Sequence, residues 1–220
     1  MKPLSFLENI KACIFDMDGT LVDSLSIWDD IDERFFHSYG MEVPANYGKE
    51  LAHMSFMEMA EYTKETYHIP DSVETIAQTW INWSKDAYLY TIVAKPGVKE
   101  FLDYLKSSGM PLALATANRR SLYEPCLVRN QLDSYFDFIA NVNDLNTAKD
   151  EPKIYLHLAS QMHAKPEETL VFEDILKAVK TAHDAHFKVV GVYDKRNDNT
   201  FEEIKNTADH YIMDYQDLLK

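Results

Sequence analysis

The sequence predicts an α/β protein: a parallel sheet covered by helices on both faces, with a block of helices inserted near its start. Three observations carry this. From Pro96-Gly97 onward, short apolar runs alternate with amphipathic helical patterns, as expected when helices wrap a parallel sheet. Residues 23–93 show helical spacing with no strand signal between. The apolar run that precedes them, Ala12-Cys13-Ile14-Phe15, ends in two carboxylates, Asp16 and Asp18.

That first run reads as a fully buried strand, since strands covered on both faces are apolar throughout. Ligands of open parallel sheets bind outside the carboxyl ends of the strands, so Asp16 and Asp18 lie where a site is expected. Two apart, they point similarly while the chain is extended, and Gly19 lets it turn sharply afterwards. Like charges so placed repel, and a magnesium ion, which takes hard oxygen ligands, is the natural relief. Two other readings fit the stretch. Asp-x-Asp-Gly also opens an EF-hand loop, but there the glycine follows a third oxygen ligand and a helix comes first. Aspartates after a strand also serve as plain turn formers.

Ser24–Tyr39 places Leu25, Trp28, Ile31, Phe35 and Tyr39 at spacings of three and four, which predicts a helix capped by Ser24 and stopped at Gly40. Further helices are expected over 45–53, 55–67 and 72–89. A helix over 97–108 then leads to the strand Leu112–Ala115, a helix over 120–130 to the short run Phe138–Ala140, and a helix over 152–163 to the strand Leu170–Phe172. Helices over 175–186 and 200–206 alternate with the strands Val189–Val192 and Tyr211–Ile212. The division expected is a core of residues 1–22 and 94–220 with a helical insertion over 23–93.

Composition narrows the partners. Of 220 residues, 46% are hydrophobic and 26% charged, as in soluble globular chains, and the formal net charge is −14. That charge argues against nucleic acid and anionic membrane surfaces, both of which demand a basic face. An anionic substrate would need a local cluster of cation, lysine and helix N-termini to overcome the overall field. Cys13 and Cys126 sit in apolar contexts without metal-type spacing, which suits packing in a reducing cytoplasm. Glu8 and Lys11 interrupt any signal-peptide pattern.

The other strands deliver polar groups to the same edge. Leu112–Ala115 runs into Thr116-Ala117-Asn118, a hydroxyl and amides suited to cradling a phosphate at a helix N-terminus. Lys149 precedes the helix that begins near Pro152, and Leu170–Phe172 ends in the second acidic pair, Glu173-Asp174. Taken singly, Thr116 and Asn118 also suit a helix cap, Lys149 a solvated surface, and Glu173-Asp174 the acids that favour a helix dipole. Their order, an acid pair, Thr, Lys and a second acid pair, each at the end of a different strand or the entry to a helix, is what points to a site.

The set Asp16-Met17-Asp18-Gly19-Thr20, Thr116, Lys149 and Glu173-Asp174 resembles the four motifs of the haloacid dehalogenase-like hydrolase superfamily. With helices inserted after the first motif, the chain is similar to the branch containing β-phosphoglucomutase and many small-molecule phosphatases. The resemblance spans nearly the whole chain. It implies a Rossmann-like core of five or more parallel strands and a four-helix cap. It implies an aspartyl-phosphate formed on Asp16, with Asp18 as acid and base. It also implies Mg2+ on the Asp16 carboxylate, the Asp18 carbonyl and Asp174, with Glu173 direct or through water. Thr116, the Ala117 amide, Asn118 and Lys149 would hold the phosphoryl group. The expected substrate is a small phosphomonoester such as a sugar phosphate or phosphoglycolate, handled by a cytoplasmic monomer or weak dimer.

Departures from the family pattern bear on these expectations. Lys149-Asp150-Glu151-Pro152 stands where relatives often have Lys-Pro-x-Pro, and Ile175 and Ala178 where they often have Ser and Gly. The mutase relatives carry a His in the first cap helix, twelve residues after the first aspartate, and this chain has Trp28. That favours a phosphatase, with a mutase as the alternative and a non-catalytic metal-binding protein as a third reading. Trp28, Lys49, His53 and Arg119 are candidates for reading the leaving group, each with cap packing or a solvated surface as the plain alternative.

Overall fold

A computed structural model of the protein describes residues 5–51, 54 and 56–219, with Ser5 and Lys49 described by their backbone alone. The chain begins with β1 (Ala12–Phe15) and passes through α1 (Ile27–Ser38), α2 (Tyr47–Leu51), α3 (Phe56–Tyr67) and α4 (Val73–Tyr90). It continues as α5 (Val98–Ser107), β2 (Leu112–Thr116), α6 (Arg120–Arg129), β3 (Phe138–Asn141), α7 (Lys153–Gln161) and β4 (Thr169–Glu173). It ends with α8 (Leu176–Asp184), β5 (Lys188–Val192), α9 (Asp198–Thr207) and β6 (His210–Ile212). Two compact units result, Met1–Leu25 with Ile92–Lys220, and Ser26–Thr91.

In the first unit, all six strands pair in parallel in the order β3-β2-β1-β4-β5-β6. The chain winds outward from β1 in one direction, then crosses to β4 and winds in the other. The crevice of such a doubly wound sheet opens at that switch point, between β1 and β4. β1 and β2 are buried at every residue because helices cover both faces. Ala12 and Ile14 pack on one face with Ala113, Tyr155, Leu158 and Val171. On the other, Phe15 stacks on Phe172 with ring centroids 4.4 Å apart, and Phe101 meets both rings edge-on.

The helical unit is held by aromatic side chains. Phe36 meets Tyr47 and Tyr67 edge to face at 4.8 and 5.2 Å, and Phe35 meets Trp80 at 5.3 Å. The buried Tyr47 hydroxyl pairs with Thr63 Oγ1 at 2.7 Å, as a buried phenol must find a partner. Ser72 caps α4 by accepting from the Thr75 N–H. Residues 52, 53 and 55, at the expected ends of two helices, lie outside the described residues.

Helix α1 begins at Ile27, so Ser24 is not its cap; Ser24 is buried instead. The backbone explains the shift. Leu21 and Val22 N–H both donate to Met17 O, Asp23 N–H donates to Val93 O, and Val22 bridges to Ala94. Lys95 N–H donates to Leu21 O, so the segments leaving for the helical unit and returning from it run side by side. Groups already committed there cannot start a helix. Among the described residues, no helix is long and apolar enough to cross a membrane.

Phe172→Ala removes a ring buried between Phe15 and Phe101, and is expected to cost the core about 3–5 kcal/mol, measured by urea unfolding.

Candidate active site

The register of the sheet brings the acids together. Phe15 lies opposite Phe172, and the ladder extends one step further through Asp16 N–H to Phe172 O, so Asp16 stands beside Glu173. The chain then turns at Gly19, whose φ of +78° is left-handed. Conformation is only half the reason for glycine here. A Cβ at that position would lie 2.4 Å from Asp174 Oδ2, so its absence lets the Asp174 carboxylate approach the turn.

Asp16, Glu173 and Asp174 are buried at 3%, 0% and 0% exposure, and each offers an oxygen within 4.8 Å of the others. Lys149, from the segment before α7, donates to Asp16 Oδ1 and, at 2.8 Å, to Glu173 Oε2. The buried Tyr155 hydroxyl of α7 also donates to Glu173 Oε2, at 3.1 Å. Three carboxylates face one ammonium in a site shielded from water, so their ionised forms repel. Burial first, then the Glu173 carboxylate, pushes Asp16 up to about 6, against the lowering pull of Lys149. Burial, then Glu173 and Asp16, holds Asp174 well above the usual carboxylate range. Burial alone would discharge Lys149, but Asp16 and Glu173 outweigh it and keep the ammonium protonated.

Each acid is held by neutral donors. Asp174 Oδ1 accepts from Thr20 Oγ1 at 2.8 Å, and Oδ2 from Asn197 Nδ2 at 2.6 Å. Asp18 Oδ2 accepts from Asn118 Nδ2 at 2.8 Å, and the Asn118 N–H donates to Thr116 Oγ1 at 3.0 Å. Thr116 closes β2 and is fully buried. A hydroxyl that accepts on one lone pair retains its proton to donate elsewhere. The donor set fits a hard divalent cation: three carboxylates at one point, with two negative charges in excess over Lys149 when all are ionised.

Of the residues singled out from sequence, Asp16, Lys149, Glu173 and Asp174 meet in one cluster, while Thr116, Asn118 and Asp18 form a linked row. The side-chain amide of Asn118 holds Asp18. Ala117 and Arg119 are exposed at the entry to α6. Trp28 packs edge-on against Phe56 at 6.1 Å within the helical unit. The Lys49 side chain and all of His53 lie outside the described residues. Thr20, Tyr155 and Asn197 carried no sequence assignment. Thr20 had a usable signal, its place two residues after Asp18; Asn197, 23 residues beyond Asp174, had none.

Residues 13–192 match the family model described as haloacid dehalogenase-like hydrolase. A phosphorylated carbohydrates phosphatase of Thermotoga maritima is 30% identical over 190 residues, covering 86% of this chain and 88% of that protein. Hexitol phosphatase B of Escherichia coli is 26% identical over 206 residues, covering 90% and 91%. Among solved structures, a candidate β-phosphoglucomutase of Thermotoga maritima superposes with a TM-score of 0.83 at 28% identity, covering 96% of this chain and 98% of that one.

The charge excess has a measurable sign. A carboxyl raised above its unfolded-state value stabilises the chain only at low pH and costs stability as pH rises through its folded value. Asp174→Asn is therefore expected to raise the metal-free melting temperature at alkaline pH. In the unaltered chain, Mg2+ at a hundred times its dissociation constant should add about 2.7 kcal/mol, an increment that Asp174→Asn should largely abolish. Differential scanning fluorimetry with and without Mg2+ checks both.

Proposed function

The chain belongs to the haloacid dehalogenase-like hydrolase family, and on that premise we propose that it is a Mg2+-dependent phosphatase of small phosphomonoesters. One observation carries the reading. A buried aspartate, Asp16, is paired with Lys149 and faces two further acids, while a second aspartate two residues on, Asp18, is held separately by Asn118.

Asp16 attacks phosphorus: a bond forms from its carboxylate oxygen, and the ester P–O bond breaks. Asp18 gives its proton to the departing alkoxide, which leaves as the alcohol. Asp18 then takes a proton from water, whose oxygen displaces Asp16 from phosphorus and releases inorganic phosphate. Splitting hydrolysis through an aspartyl-phosphate replaces one difficult step by two easier ones. Lys149 keeps Asp16 ionised and oriented, and with the Thr116 hydroxyl and the Ala117 N–H it binds the phosphoryl oxygens. Asn118 fixes the Asp18 carboxylate for proton transfer. Mg2+, held by Asp16, Asp174, the Asp18 carbonyl and Glu173, would supply charge compensation for the cluster and the phosphoryl group.

The names of the relatives, which act on phosphorylated carbohydrates and hexitol phosphates, support a sugar or polyol phosphate as substrate. Residues 23–93 act as the cap that selects it. Trp28 supports hydrolysis over phosphoryl transfer between sugar hydroxyls, since an indole cannot serve as the imidazole does in the mutases.

A Mg2+-dependent screen over phosphorylated metabolites tests the reading. Asp16→Asn is expected to abolish turnover of p-nitrophenyl phosphate, and Asp18→Asn to lower kcat about 10²–10⁴-fold. Isomerisation of β-glucose 1-phosphate would make the chain a mutase. Mg2+ binding without turnover of any phosphoester would sink the enzyme reading.

A further inference from the structure

We infer that Asn197 is a positioning residue for the metal-binding carboxylate of Asp174, an inference that rests on the phosphatase reading above. Asn197 closes the short 3-10 turn Lys195–Asn197 after β5 and stands at the N-cap of α9. Asparagine is favoured at that position because its side chain can accept from the first turn of the helix. Here it makes no such bond. Its amide instead donates to Asp174 Oδ2 at 2.6 Å and to the Asp174 carbonyl at 3.3 Å. The side chain suited to the cap therefore serves the carboxylate.

Asp174 needs that service. Its oxygens face Asp16 and Glu173, and like-charge repulsion favours any rotamer that turns the carboxylate away. Thr20 on Oδ1 and Asn197 on Oδ2 together fix the plane of the group. Ile175, the next residue, has no side-chain donor to offer, and its N–H goes to Glu173 Oε1 at 3.4 Å. An amide is suited to the task because it carries no charge to compete with a cation, and it occupies one lone pair while leaving another to bind metal.

The turn that presents Asn197 is itself pinned. Asn197 N–H donates to Asp194 O, and Asp194 Oδ1 accepts from Arg196 N–H. Asp194 Oδ2 pairs at 2.8 Å with Lys95, both side chains being largely buried, and Lys95 also donates to Tyr193 O. Lys95 lies on the segment returning from the helical unit, where its N–H is bonded to Leu21 O. Asn197 is thus tied, through the buried Asp194–Lys95 ion pair, to the segment that follows β1.

Isothermal titration of substrate-free protein with Mg2+ tests this, using Asn197→Ala and Asn197→Leu, the second retaining the side-chain volume. Partners of this kind alter metal affinity about 10–100-fold, so both variants should raise the Mg2+ dissociation constant about tenfold or more. Hydrolysis of p-nitrophenyl phosphate should then need more Mg2+, with kcat recovering as Mg2+ saturates. Should Asn197→Ala fail to fold, Asn197→Leu gives the readout. A folded variant that binds Mg2+ as tightly as the unaltered chain overturns the inference and leaves the phosphatase reading standing. An unaltered chain that binds no Mg2+ overturns both.

Discussion

Three carboxylates forced together in a dry crevice, Asp16, Glu173 and Asp174, set the constraint that the rest of this structure satisfies. Their mutual repulsion opposes folding, and only Lys149 is charged to offset it among the groups seen bonded to them. The side chains of Thr20, Tyr155 and Asn197 and the Ile175 N–H bond to them as neutral donors. Neutral donors orient a carboxylate without cancelling its charge, so the cluster retains its attraction for a cation. Such a site is costly to stability and useful to chemistry, because charge kept from water acts strongly on whatever binds.

The doubly wound sheet makes that arrangement affordable. β1 and β4 lie side by side at the point where the winding reverses, so the acids at their ends meet without any loop having to carry them there. Below them, Phe15, Phe172 and Phe101 form a rigid aromatic base whose burial helps offset the repulsion above. The turn after β1 must then leave the sheet at once, since a side chain at Gly19 would collide with Asp174. The two segments that leave and return, paired through Val22 and Ala94, join the helical unit to the chemistry by only a few residues. The same segments carry Lys95, which steadies the turn bearing Asn197.

Some of this was legible before any coordinates. The helical insertion, the alternation after Pro96 and the apolar strands followed from periodicity, because residues buried on one stripe or on both faces must be apolar wherever the chain goes. Helix starts were less legible. Ser24 has the chemistry of a cap, yet bonds made by Met17, Val93 and Leu21 across the chain delay α1 to Ile27. Within the site, the charged residues stood out because an acid after a strand end, or a lysine just before a helix, is a local pattern. Asn197 could not stand out, since an asparagine before a helix reads as a cap and its partner is distant in sequence.

By itself, the sequence determined which residues could be chemical: Asp16 and Asp18 beside a turn, Thr116, Lys149, and the pair Glu173-Asp174, each at the end of an apolar run or the entry to a helix. The tertiary structure alone decided how they divide. Strand order and register place Asp16 beside Glu173, turn the Asn118 amide onto Asp18, and aim Tyr155 and Asn197 at acids far along the chain. The physical reason is range. Burial and periodicity act over a few residues and leave a mark on composition, whereas hydrogen-bond partners are chosen by the packing of strands and helices that the local sequence does not encode.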